Sequence, residues 1–145
     1  MIGGIAASLH GSTTITRDFD ICYSREPPNL ERLAAALREM EARLAGIEED
    51  VPFRLDARAL RNGMNFTFVT KFGRFDCLGE LSGRFEYEQL RRNADEVLLA
   101  GMRVWVASLD DLIRMKRAAG RAKDLIEVEN LAALREVRQR DRKVR

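Results

Sequence analysis

Between Ile15 and Tyr23 the side chains alternate: Ile15, Phe19, Ile21 and Tyr23 fall on one parity, interrupted by Arg17, while Thr16, Asp18, Asp20 and Cys22 fall on the other. A period of two belongs to a half-buried strand, with one face packed and the other wet. Asp18 and Asp20 then project from the same face, about 6.5 to 7 Å apart along the strand. Carboxylates so placed repel one another unless positive charge sits between them. Such a strand therefore requires an apolar layer on one side. On the other it requires either a cation or the open water of a sheet edge.

The rest of the chain supplies layers. Ile5 to Leu9 is a short apolar helical turn closed by Gly11. Pro27-Pro28 breaks the chain, Asn29 is the expected N-cap, and Leu30, Leu33, Ala34, Leu37, Met40 and Leu44 recur at helical spacing until Gly46. A helix over 29–44 covering a sheet is expected. Asn65 to Phe72 and Arg74 to Leu81, rich in Phe, Val and Thr around Gly73, read as two strands joined by a tight turn. Arg103 to Val106 reads as a further strand of the same sheet. Ser108-Leu109-Asp110-Asp111 has capping-box spacing ahead of helices at about Leu109–Ala119 and Arg121–Val137, with Gly120 at their junction. Residues 135–145 carry six basic and two acidic side chains and read as a frayed, solvated tail. Trp105 and the phenylalanines read as core.

These elements give an α/β fold: a small mixed sheet backed by helices, with C-terminal helices. The 145 residues suit one domain, 1–145. With 46% hydrophobic and 33% charged residues the chain can fold, and 25 basic against 23 acidic side chains are too balanced to argue for nucleic-acid binding. No apolar run approaches the length that spans a bilayer, and Met1-Ile2-Gly3-Gly4 does not resemble a signal peptide, so a cytoplasmic location is expected. Cys22 and Cys77 are expected to stay reduced. His10, the single histidine, suits a helix-end hydrogen-bonding role better than that of a base, and without a Cys/His cluster near it no structural zinc site is expected.

Chemistry concentrates on the acids. Hard oxygen ligands favour Mg²⁺ or Mn²⁺, and a third carboxylate from a neighbouring strand would allow two ions, one at an attacking hydroxyl and one at a triphosphate. Asp76 is the candidate for that third ligand, since it lies in a strand between Phe75 and Cys77; alternatively it caps a turn or pairs with Arg74. Gly11-Ser12 could bring backbone N–H groups and a hydroxyl to phosphate oxygens.

In order, Gly3-Gly4, Gly11-Ser12, Asp18-Phe19-Asp20 and Asp76 resemble the nucleotidyltransferase superfamily, specifically its minimal and abortive-infection toxin-like branches. The segment from Leu109 to Asp124, with Lys116, Gly120, Arg121 and Lys123, resembles a helix common in uncharacterised bacterial members. The resemblance implies that Asp18 and Asp20 bind both metal ions, that Asp76 completes the catalytic site, and that Lys116, Arg121 or Lys123 contacts phosphate or acceptor. It implies transfer of a nucleoside monophosphate from a nucleoside triphosphate to a hydroxyl acceptor, whether RNA, protein or small molecule, in a setting that includes toxin and antitoxin pairs. It also implies an amino-terminal edge shorter than in other members, and Thr14 stands where toxin-like relatives often carry Arg. Two readings from other classes stand beside it: a binding module that has lost catalysis, and an RNA-binding domain using the region from Lys116 to Arg145. A second copy or a partner protein is the expected cover for an exposed sheet edge.

Overall fold

The computed structural model describes residues 1–47 and 53–144. In chain order the elements are α1 (Gly3–Leu9), β1 (Phe19–Cys22), α2 (Pro27–Glu39), β2 (Arg43–Leu44), α3 (Ala57–Asn62), β3 (Asn65–Thr70), β4 (Gly73–Leu78), α4 (Tyr87–Asn93), β5 (Asp95–Leu99), β6 (Met102–Val106), α5 (Leu109–Ala119) and α6 (Ala122–Val144). The fold is mixed α/β, as the sequence pattern requires. Strands β1-β4-β3-β2 form a four-stranded sheet in that order, in which β1 and β4 are parallel and the other pairs antiparallel.

Residue parity sorts the sheet's two faces. Ile21, Tyr23, Phe66, Phe68, Phe75 and Cys77 pack with Leu30, Ala34 and Leu37 of α2 and Ala57 and Leu60 of α3. Cys22 and Leu78, on the opposite parity, join a second cluster formed by Ala6 and Ala7 of α1, Leu112 and Ile113 of α5, and Val128 and Leu131 of α6. Cys22 and Cys77 thus lie on opposite faces and are free thiols, as expected.

Several boundaries differ from the sequence reading. Helix α2 begins at Pro27 rather than after Asn29, because proline is suited to a helix's first turn, where its missing N–H has no partner to lose. Asn29 instead donates its side-chain amide to the Ser24 carbonyl at 2.8 Å. The helix stops at Glu39 rather than Leu44: Glu41 turns left-handed (φ 56°), and Arg43–Leu44 pair with Val69 and Phe68 as the sheet's edge. Strand β1 begins at Phe19 rather than Ile15, which is 92% exposed. Residues 15–18 have no ladder partner among the described residues.

Arg103–Val106 does not join the main sheet. It lies in β6, which forms a separate two-stranded ribbon with β5 through a two-residue turn at Ala100-Gly101, both with positive φ. Met1 and Ile2 stitch the ribbon to the sheet: the Met1 ammonium donates to the Trp105 carbonyl (2.7 Å), the Ala107 amide to Met1 (2.9 Å), and the Ile2 amide to the Asp20 carbonyl (3.0 Å). Trp105 is partly exposed beneath the Arg91 guanidinium, 3.4 Å from its ring centroid, and Phe72 is 77% exposed, so neither is a core residue.

Ser108 caps α5, its hydroxyl accepting from the Asp111 amide at 3.2 Å, while buried Asp111 takes hydrogen bonds from Ser108, Asn93 and Arg114. Gly120 (φ 66°) closes α5 in the left-handed conformation, and α6 folds back along it. The basic segment 135–144 is helical rather than frayed. Arg135 reaches Asp110 at 2.9 Å, and Arg138 donates to His10 Nδ1 at 3.0 Å. Since a guanidinium only donates, His10 Nδ1 is an acceptor and its Nε2–H donates to the Ala107 carbonyl at 2.8 Å. His10 is thus the helix-end hydrogen-bonding residue expected of it, at the C-cap of α1.

Candidate functional site

Asp20 on β1 and Asp76 on β4 are direct partners in the parallel ladder. Neighbouring strands lie about 4.8 Å apart, so both acids stand side by side on the face that α1, α5 and α6 overlie. Asp18 precedes β1 with an exposed side chain, and all three line one cavity of about 980 Å³. The expected convergence of Asp76 with Asp18 and Asp20 on one side of the sheet is therefore present.

Burial is the largest influence pushing the Asp20 carboxyl above its ordinary range. The negative charges of Asp76 and then Asp18 add to it, opposed by Lys116 and by a hydrogen bond from the Gly4 amide. Gly3 (φ 70°) and Gly4 lie against this acid, and a Cβ at Gly4 would come within 2.7 Å of the Thr16 side chain. That close approach explains why glycine stands there. Asp76 contacts Arg74 loosely, 3.6 Å from carboxylate Oδ1 to guanidinium Nε, and this oxygen has no hydrogen-bond partner among the described residues.

The opposite wall comes from the α5–α6 pair. Lys116, Arg121 and Lys123 all line the cavity. Lys116 is tied to Glu127 in close contact and to Asp124 at 3.5 Å. Arg121 grips Asp124 through two hydrogen bonds, of 2.5 and 3.2 Å. That contact raises the Arg121 pKa, with Asp20 also contributing. Burial pushes the Asp124 carboxyl up, but its hydrogen bond and charge interaction with Arg121, together with Lys116, outweigh burial and hold it below the ordinary value.

Gly11 and Ser12 are not among the cavity-lining residues. The Ser12 hydroxyl is engaged with Thr14, at 3.2 Å from both its amide and its hydroxyl, and Gly11 faces Leu134. Ile2, Gly3, Gly4, Thr14, Ile15 and Thr16 are the residues ahead of Asp18 that reach the cavity.

Asp124 and Glu127 are the lining acids that a search for strand-borne carboxylates passes over. Their signal lies in the helical spacing 124, 127, 128, 131: this is the buried stripe of α6, completed by Val128 and Leu131, and its first two members are acids. Charged residues on a buried stripe mark a partnered or functional group.

Six acids (Asp18, Asp20, Asp76, Glu80, Asp124 and Glu127) face four bases (Arg74, Lys116, Arg121 and Lys123) around the cavity. The excess negative charge disfavours a bare polyphosphate and favours a cation, or a polyphosphate that carries one. Among the described residues no three acid, His or Cys side chains close on a single point as a ready-made cage. The paired Asp20 and Asp76, with a buried Asp76 oxygen that takes no hydrogen bond among the described residues, suit a hard ion that keeps several waters and takes one or two carboxylates alongside substrate phosphates. Among the described residues no helix is long and apolar enough to cross a membrane. No protein-family model and no curated protein sequence gives a significant match to this chain.

Proposed function

We propose that this chain is a metal-dependent nucleotidyltransferase of the minimal, toxin-like kind, moving a nucleoside monophosphate from a nucleoside triphosphate to a hydroxyl acceptor. The observation that carries the reading is the pairing of Asp20 with Asp76 across a parallel ladder, with Asp18 beside them, on the wall of a cavity whose other wall presents Lys116, Arg121 and Lys123. Mg²⁺ or Mn²⁺, as one ion or two, would supply Lewis-acid stabilisation of the triphosphate and a more acidic acceptor hydroxyl. Asp20 and Asp76 are the ligands for it, and Asp18 is the third acid within the same cavity. Lys116, Arg121 and Lys123 offer positive charge to the phosphate chain, Lys116 while it keeps Glu127 and trades only its longer contact with Asp124, and Arg121 once it exchanges Asp124 for phosphate oxygens. The sheet holds the acids rigidly, because each sits at or beside a residue fixed by backbone pairing.

Transfer from α-labelled nucleoside triphosphates, in the presence of Mg²⁺, to RNA, to protein and to the chain itself tests the reading. The expected result is labelled product with wild type and none with Asp18→Asn at unchanged melting temperature. Wild-type rates in that variant would count against the scheme. A module that kept the fold but lost its phosphate-gripping residues would label nothing and gain no thermal stability from Mg²⁺ and nucleotide, whereas an active site would. An RNA-binding domain would show salt-steep RNA affinity and no response to nucleotide.

A further inference from the structure

Glu127 shares with Asp76 a buried carboxylate oxygen that takes no hydrogen bond among the described residues, but it stands on the helical wall of the cavity rather than on the sheet. It is 7% exposed, and one carboxylate oxygen, Oε2, is held by Lys116. The other, Oε1, is buried and has no hydrogen-bond partner among the described residues. Its neighbour Asp124 spends both oxygens on Arg121 and Lys116. A buried acceptor left unmade costs free energy, so such an atom calls for a partner that arrives from outside the fold.

The surroundings indicate which kind. Met115 and Ala119 of α5 and Ile126 of α6 line the cavity on the same two helices that carry Lys116 and Glu127. Ile126, one of these lining residues, is 66% exposed. Apolar side chains beside a fixed acceptor, within a lining that is otherwise charged, suit a flat, partly polar ring. A carboxylate oxygen there accepts from an exocyclic amino group and repels a carbonyl at the same position.

We infer that Glu127 Oε1 is a base-recognition group, selecting a nucleotide whose base presents an amino donor over one that presents a carbonyl there. This rests on the nucleotide reading of the site. It adds a specificity residue to the acids that would hold metal: Lys116 fixes Oε2, which leaves Oε1 to meet the base.

Titration calorimetry of the full chain with the Mg²⁺ complexes of ATP, GTP, CTP and UTP tests the inference, with CTP against UTP as the closest pair because they differ at the amino and carbonyl groups. Wild type is expected to bind at least one amino-bearing nucleotide about ten- to hundredfold more tightly than UTP, the range for one hydrogen bond to a charged group. Glu127→Gln, which keeps the shape but presents an amide, is expected to erase or invert that preference. Its melting temperature without ligand checks that the fold is retained. A role confined to holding Lys116 would weaken all four nucleotides alike, and that pattern would overturn the inference. Equal binding of all four by wild type would also overturn it, whatever the variant does. If dCTP bound much more weakly than CTP to wild type and equally to Glu127→Gln, the donor would be the ribose hydroxyl and the base assignment would fall. Wild type binding no Mg²⁺–nucleotide at all would instead remove the nucleotide reading, and the inference with it.

Discussion

Asp20→Asn should make the metal-free protein more stable at neutral pH. Asp20 and Asp76 are ladder partners, so their carboxylates lie about 5 Å apart. Coulomb's law at that distance gives about 1 kcal/mol of repulsion at the dielectric of water and about 3 kcal/mol at the effective value for sites near a protein surface. Asp20 is partly buried and the Asp76 side chain is 18% exposed, which argues against the watery limit. Losing the attraction of Lys116 for Asp20 offsets part of the gain. A net stabilisation of about 1–2 kcal/mol follows, or about 3 to 6 °C in melting temperature for a chain of this size. The sign follows from linkage. The folded pKa of Asp20 lies above its ordinary value of 3.8, chiefly through burial and then through Asp76 and Asp18. The contribution of this group to stability is therefore complete below 3.8 and is lost as pH rises through the folded pKa. Asparagine does not titrate and keeps an oxygen for the Gly4 amide, so the advantage of the variant is largest at neutral pH and shrinks on acidification towards 3.8. Thermal melts by circular dichroism in chelator, from pH 4 to 8, measure it. A melting temperature at or below wild type at pH 7, or an advantage that does not change with pH, would refute the reasoning.

Two further outcomes are expected. Ser108→Ala removes both the cap of α5 and a hydrogen bond to buried Asp111, and should cost about 1–2 kcal/mol, read as a lower urea midpoint at unchanged slope. Arg121→Gln leaves Asp124 buried with less compensation. Because the folded pKa of Asp124 is depressed, its stabilisation is present above 3.8 and lost as pH falls through that lower value. The variant should therefore unfold at a higher pH than wild type in an acid titration followed by circular dichroism, and coincident midpoints would contradict the role given to the pair.

What could be read from the sequence was whatever is fixed by local pattern. The alternation identified the strand and the face of Asp20, but placed Asp18 in it, whereas β1 begins one residue later; Gly73 identified a hairpin. Ser108 and Gly120 marked helix ends through side-chain capping and left-handed backbone, both properties of single residues. What could not be read depends on distant partners. The ribbon of β5 and β6 is a good local hairpin, and its place beside the main sheet rests on distant partners: the Met1–Ile2 hydrogen bonds and the packing of Val97, Val104 and Val106 against the helices. Strand β2 is two residues long and exists through its pairing with β3. Gly3-Gly4 and Gly11-Ser12 look alike as small flexible pairs, yet only the first lies against Asp20; the choice was made by the chain's path through α1.

The acids and the bases of the cavity are held by different kinds of structure, and this bears on how the site would respond to a ligand. Asp20 and Asp76 are fixed by backbone hydrogen bonds between strands, which no change of ligand relaxes without breaking the sheet. The charged ends of Lys116 and Arg121 are instead held by ion pairs, Lys116 to Asp124 and Glu127 across the junction at Gly120, and Arg121 to Asp124 just beyond it. Those pairs keep two buried carboxylates from standing uncompensated. A polyphosphate that drew Lys116 or Arg121 away would expose that cost, so the phosphate contacts must exceed it before binding is favourable. A cation held by Asp20 and Asp76, as proposed, would relieve repulsion at the other wall and favour phosphate there. Ligand affinity is therefore expected to depend on the cation far more steeply than the balanced charge of the whole chain would suggest.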